Sequence, residues 1–483
     1  MKLNKKKYLD KLHAAWLGKN IGGTLGGPYE CTREFVDLKG FTTPAGEPLP
    51  NDDLDLQLVW LCALESVGPK AIDANLLGEY WLDWIGPHWN EYGVAKTNLR
   101  LGLLPPMSGE VDNDRWKTSN GAWIRSEIWA SIAPGAPDVA ARFASYDAMV
   151  DHGVSEGTSA EIFTAAMQSA AYVESDIRKL IECALSKVSP DSMIAKTVRL
   201  VIESYDKGVD YRTVRENIVE LNKSLGWFQA PANIGYVVIG LLYGEGDFKR
   251  SMTYAINCGD DTDCTGATVG ATLGIIGGVE GIPADWREFV GDKIVTVAIN
   301  GMYYGRIPKT CANLTARVAA LVADAMKAGG VAFEFTDGED EFTEHELESY
   351  NKLTDSDILS RGAYSYDINS YPHLRARVEL DGSPRIAPQE ERLVKLTFYT
   401  NPCMPQTHKM RIRAILPEGF TVRGMQKTLS IEYLQPALEV PGKATMEFTV
   451  AAGENVEAEN RIYIEVTSTS FARAMMIPIT LIG

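Results

Sequence analysis

The chain has 483 residues, 45% apolar, 9% aromatic and 23% charged, a globular composition that excludes a disordered, collagenous or membrane-spanning protein. Net charge is −17, from 47 Lys and Arg against 64 Asp and Glu, so a phosphate backbone is repelled on average and nucleic acid is excluded as a partner. The length provides for roughly two to three domains, each with a sizeable core. Seven scattered cysteines without a C-x-x-C pair argue against a zinc ribbon or a disulfide framework and fit a reducing compartment. Asp10, Lys11 and His13 interrupt the apolar residues of Tyr8 to Lys19, so no export signal is expected. No apolar stretch is long enough to span a bilayer. A cytoplasmic location with no membrane partner is expected, export being reserved for a chain whose signal was trimmed; the oligomeric state is not legible.

From Tyr8 to about Ala332 the pattern is helical. Gly18, Gly22 and Gly26 fall on one helical face, and Glu30 extends the same four-residue spacing. Glycine costs about 1 kcal/mol against alanine inside a helix, so such a ladder implies close approach to another backbone or to a ligand. Next comes Asn51-Asp52-Asp53-Leu54-Asp55, ahead of the apolar run Leu56–Leu64. Asn or Asp at that place reads as a helix cap, yet three carboxylates in four residues exceed what a cap needs. Trp81, Trp84, Trp89, Trp116 and Trp123 crowd the following stretch. Most are expected in the core, with one or two at a cleft rim, and Asn98–Gly109 reads as a loop over the site.

Apolar residues recur at three-to-four spacing in Ala184–Tyr205, Val214–Leu225 and Cys311–Met326. Between the last two lies a second acidic helix opening, Asp260-Asp261-Thr262-Asp263-Cys264-Thr265, followed by glycines at 266, 270 and 274. Packing of the two glycine ladders would carry Glu30 towards Asp261 and Asp263. The acidic run Asp337 to Glu348 reads as a solvated linker. Beyond it the period becomes two, as in Leu374, Ala376, Val378 and Leu380, in Ala444, Met446, Phe448 and Val450, and in Ile462, Ile464 and Val466. Turn signals at Asp381-Gly382, Pro417-Glu-Gly419 and Pro441-Gly442 separate the runs, which predicts an antiparallel β-sandwich. The expected division is an all-α domain over residues 1–336, an acidic linker over 337–360 and an Ig-like sandwich over 361–483. The sandwich region has no tryptophan, and His345, His373 and His408 show no ligand spacing, so it is expected to be structural.

Two helix openings with paired aspartates can converge on one divalent cation, and oxygen donors suit Mg²⁺, Mn²⁺ or Ca²⁺ rather than zinc. Taken with the ladder ending at Glu30, with Ser119-Asn120-Gly121-Ala122, His152-Gly153 and Gly281-Ile282-Pro283, the pattern over residues 8 to 330 resembles the ADP-ribosylglycohydrolase family. The resemblance implies an all-α domain with Mg²⁺, one or two ions, at the base of a cleft. It implies Asn51, Asp52, Asp53, Asp261, Asp263 and Cys264 as the metal set, and Glu30, Asp53 and Asp261 as catalytic. It further implies Ser119, Asn120, Gly121 and His152 as substrate-facing. Asn51 stands where the family carries Thr, and Cys264 where it carries Thr or Ser; a soft thiol is a poor Mg²⁺ ligand. The implied activity is metal-dependent hydrolysis of a glycosidic bond at C1 of an ADP-ribosyl or related ribosyl substrate. An ordinary glycoside hydrolase, favoured by the sandwich, and a catalytically silent ligand-binding relative, favoured by Asn51 and Cys264, are the alternatives.

Overall fold

A computed structural model describes residues 1–342, 344–401, 407–435, 437, 442–469 and 471–483; Cys403 and Pro441 lie outside the described residues. The chain divides into two units, one of residues 1–95 and 112–360, the other of 96–111 and 361–483. The first is helical and the second is built of antiparallel sheets, the class the two periodicities predict.

In the helical unit, helices start where short polar side chains supply the missing acceptor: Asn4 Oδ1 accepts from Lys7 N, Ser192 Oγ from Ala195 N and Asp247 Oδ1 from Arg250 N. Two helices organise the unit, Lys5–Gly26 and Thr262–Gly277. They cross with almost nothing between their backbones. A methyl group on Gly18 would overlap the carbonyl of Gly270, one on Gly22 that of Gly266, and one on Gly26 that of Thr262. The ladders are therefore a packing device, and the pairing they were expected to make is present. Trp16, Trp60, Trp81, Trp123 and Trp129 are fully buried around this pair, as the core reading predicts. Among the described residues no helix is long and apolar enough to cross a membrane.

The described residues of 337–360 differ from a solvated linker, because they fold onto the helical unit. The strand Glu334–Thr336 pairs in parallel with Lys2–Asn4, which directs the acidic run past the basic N-terminal segment. Lys2 meets Glu341 at 3.0 Å, Lys7 meets Glu339 at 2.7 Å, and the terminal ammonium meets Glu346 at 3.3 Å. Further on, Asp138 accepts from Lys352 N and Leu353 N, and Ile358 packs with Ala141 and Ile162. Opposite charge on the only basic run of the sequence explains why this stretch is held.

The second unit contains a four-stranded sheet ordered Ala474–Leu481, Asn460–Ser468, His408–Ile415, Thr428–Ile431. It also contains a five-stranded sheet ordered Ser365–Ile368, Leu374–Leu380, Glu391–Thr400, Lys443–Ala451, Thr421–Arg423. Val378, Leu396 and Phe448 of one sheet share a core with Ile412, Ile464 and Ile477 of the other. The segment expected as a loop over the site belongs here instead: Leu103, Met107 and Val111 are buried in that core. Asn98 Nδ2 ties the segment by donating to the carbonyls of Ser108 and Val111.

Candidate metal-dependent active site

Both acidic clusters open helices, but neither acts as a cap. The helix Asp52–Val67 follows Asn51, whose side chain makes no capping hydrogen bond, and Thr262–Gly277 follows Asp261, which makes none either. Asn51 is buried against Gly23, where a methyl group would overlap its Nδ2, and neither polar atom of its carboxamide has a hydrogen-bond partner. A buried amide left unpaired is costly, so the sequence is not shaped here for helix capping alone.

Helix crossing brings the clusters together. Ligand-type atoms of Asp53, Asp263 and Cys264 all lie within 4.8 Å of one another, and so do those of Glu30, Asp261 and Asp263. Asp263 belongs to both trios. Asp52 joins Glu30, Asp261, Asp263 and Cys264 in lining a cleft of ≈ 380 Å³, a size suited to a small-molecule ligand. Cys264 Sγ donates to Asp53 Oδ1 at 3.2 Å. Asp55, the third carboxylate of the first opening, is not in the cluster. Its Oδ2 accepts from Val297 N and Ala298 N at 2.6 Å each and anchors that segment.

The loop before the second helix is shaped by Asp260, a non-glycine residue at φ 67°. Its backbone pairs with the segment after Glu30: Asp260 N donates to Thr32 O at 2.6 Å and Cys31 N to Asp260 O at 2.9 Å. Its carboxylate accepts from Phe228 N at 3.1 Å and Asn233 Nδ2 at 2.9 Å. Asp260 therefore fixes the turn that presents Asp261. Asn233 was not legible as a site residue, yet it holds both ends of this turn, since its Oδ1 accepts from Asp261 N at 3.3 Å.

Of the four residues implied to face substrate, Ser119, Asn120 and Gly121 line the cleft and His152 does not, and the side chains of Ser119 and Asn120 are already engaged. Asn120 donates from Nδ2 to Asp261 Oδ2 at 2.7 Å and accepts from Trp123 Nε1 at 3.0 Å, which makes it a support for the carboxylate. Ser119 Oγ lies 3.2 Å from His152 Nε2. Gly121 leaves room for Glu91, since a methyl group there would overlap the Glu91 carboxylate. His152 ends the helix Pro137–His152, is fully buried, and stands behind Ser119 with Nδ1 3.0 Å from Asp151 Oδ1. Trp89, 45% exposed, lines the same cleft with Tyr92 and Phe228 and is the tryptophan left for a ligand to meet.

The electrostatics follow from crowding like charges out of water. Burial, then Asp263 and Asp52, push the Glu30 carboxyl up to about 7. Burial and Asp263 push Asp52 up to about 6, and burial drives Asp53 and Asp261 well above the usual carboxylate range. One cation is built in. Lys19 is fully buried, donates to Ile124 O at 2.7 Å, and lies 3.1 Å from Glu127 Oε2 and 4.0 Å from Asp53 Oδ2. Burial opposes its charge, but Glu127 and Asp53 outweigh that and hold the ammonium above its ordinary value. Lys19 sits inside the glycine ladder, where nothing in the pattern singles it out. The residues present fit a divalent cation: Asp53 Oδ2 and Asp263 Oδ1 are buried oxygens without a hydrogen-bond partner, and the outer trio offers oxygen donors throughout.

The ADP-ribosylglycohydrolase family model matches residues 4–316. A solved structure described as an ADP-ribosylglycohydrolase-related protein complex is 20% identical, with 66% of this chain and 100% of that chain covered and a TM-score of 0.45. A FixG-related protein from Vibrio parahaemolyticus is 14% identical over 23% of this chain and 97% of its own, with a TM-score of 0.19. The GAE domain of GGA2p from Saccharomyces cerevisiae is 11% identical over 25% and 97%, with a TM-score of 0.18. No curated protein matches the chain.

Proposed function

The chain belongs to the ADP-ribosylglycohydrolase family, and from that premise we propose that the acidic cleft is the active site of a metal-dependent hydrolase cleaving a glycosidic bond at C1 of an ADP-ribosyl or related ribosyl unit. Membership in the family supports a glycosyl hydrolase-type activity; the metal and the substrate are our reading of the site. The observation that carries it is the sharing of Asp263 by two trios of ligand-type side chains, all of whose members but the fully buried Asp53 line one cleft.

Asp52, Asp53, Asp261 and Asp263 would hold the cation, Mg²⁺ or Mn²⁺ by the oxygen donors. When bound it supplies a Lewis acid for sugar hydroxyls at the reacting carbon. Asn120 keeps the Asp261 carboxylate turned into the cleft. Glu30 is the most exposed carboxylate of the outer trio. It stands where a proton can pass, as a general acid to the leaving atom or a general base to water. Water adds at C1 as the bond to the leaving atom breaks through an oxocarbenium-like transition state. Trp89 and Phe228 provide apolar faces for the part of the substrate beyond the sugar.

The test incubates the protein and Mg²⁺ with an ADP-ribosylated arginine peptide, an ADP-ribosylated serine peptide and aryl glycosides, and measures released ADP-ribose or sugar. ADP-ribose release that requires the cation and falls about 100-fold or more in Glu30→Gln is expected. Cleavage of aryl glycosides alone would establish the ordinary glycosidase. Tight ADP-ribose binding without turnover of any substrate would establish a silent relative.

A further inference from the structure

The two trios are not chemically alike. Glu30, Asp261 and Asp263 present oxygens at the cleft, whereas Asp53, Asp263 and Cys264 surround a deeper point that includes a sulfur. The thiol is 4% exposed and turned towards the Asp53 carboxylate rather than into apolar side chains. We propose that this inner trio is a mixed carboxylate–thiolate position that takes a borderline divalent cation, Zn²⁺ or Co²⁺, in preference to Mg²⁺, beside an all-oxygen position where Asp261 and Asp263 take a hard cation and Glu30 is left to move the proton. The proposal rests on the reading of the cleft as a metal site and adds the identity of one of its ions.

Two observations carry it. The first is distance: ligands held about 2.0–2.3 Å from a tetrahedral cation lie roughly 3.3–3.8 Å apart; Cys264 Sγ and Asp53 Oδ1 are 3.2 Å apart, and Asp263 offers an oxygen within 4.8 Å of ligand atoms of both. The second is the unpartnered Asp53 Oδ2, in a residue fully removed from solvent and adjoining the sulfur's own hydrogen-bond partner Oδ1. A cation there would satisfy an oxygen that accepts no hydrogen bond and meets the Lys19 ammonium only at 4.0 Å. Thiolate donors favour zinc and cobalt over magnesium by their softness. Binding replaces the thiol proton by the cation, and the proton leaves to solvent.

The metal-free protein of 483 residues is titrated with Co²⁺, and its thiolate-to-cobalt charge-transfer absorption is followed in the near ultraviolet. The wild type is expected to develop this absorption to one equivalent, to lose it on adding equimolar Zn²⁺, and to keep it in a large excess of Mg²⁺. Cys264→Ser should lack it and bind Co²⁺ at least about tenfold more weakly, with Mg²⁺ binding retained as proof of an intact fold. Cys258→Ser, whose buried thiol lies outside both trios, should behave as the wild type. Absence of the absorption in the wild type, or its persistence in Cys264→Ser, overturns the proposal. If the absorption is absent while Mg²⁺ still binds, the thiolate position falls and the oxygen site stands. If neither ion binds, both readings fall.

Discussion

Asp52 and Glu30 titrate near neutrality because the fold gathers carboxylates that the unfolded chain keeps apart. Their ordinary values are 3.8 and 4.5, against about 6 and about 7 in the fold, and burial also brings Asp55 to about 7. The folded metal-free protein therefore binds more protons than the unfolded chain between about pH 4 and pH 7. By linkage, the stability these groups contribute is complete below their ordinary values and is lost as pH rises through their folded values. Thermal melts of the metal-free protein should show Tm falling from pH 5 to pH 8, and saturating Mg²⁺ should reverse the slope. A Tm that rises steadily over that range without metal would mean that the carboxylates are not packed as described. The acidic residues were legible because three carboxylates in four residues exceed the needs of a cap. Lys19, Asn233 and Glu91 were not, since each is a single polar residue in an apolar helix or loop, and only the fold shows which neighbour it meets.

The glycine ladders are what position the site, and their four-residue spacing made the helix pair legible before any coordinates. At Gly22 an added methyl meets the backbone of Gly266 and Ala267, which cannot rotate away, whereas at Gly277 it meets nothing within 4 Å. Gly22→Ala should cost about 3 kcal/mol or more in denaturant unfolding and weaken cation binding, because it pushes Asp263 away from Asp53. Gly277→Ala, on the same pair of helices, should be neutral or stabilising by about 0.5 kcal/mol. Equal effects at the two positions would contradict the close crossing. The sandwich strands were equally legible from strict alternation. The three-residue strands Lys2–Asn4 and Glu334–Thr336 were not, being too short for any period to register.

At the scale of the molecule, sequence order misleads about where one unit ends. A boundary at residue 336 follows the change of period, but the acidic run is bound by the basic N-terminal residues, and Leu103, Met107 and Val111 lie in the sandwich core 250 residues or more from its strands in sequence. Composition cannot report that exchange, because an apolar residue in a turn looks the same whichever core takes it. A chain ending at Ser360 retains every cleft residue but leaves those three side chains without their core. It should therefore aggregate, and Leu103→Gln with Met107→Gln should restore solubility with unaltered cation binding; a soluble Ser360 chain without those changes would contradict the division. What unites the scales is Asp263, the one carboxylate common to both trios. Calorimetric titration of Mn²⁺ into wild type and Asp263→Asn tests this directly. The structure predicts binding by the wild type and a loss of at least about 100-fold in the variant. Equal Mn²⁺ affinity in the two proteins would contradict a cation site built where the helix openings meet.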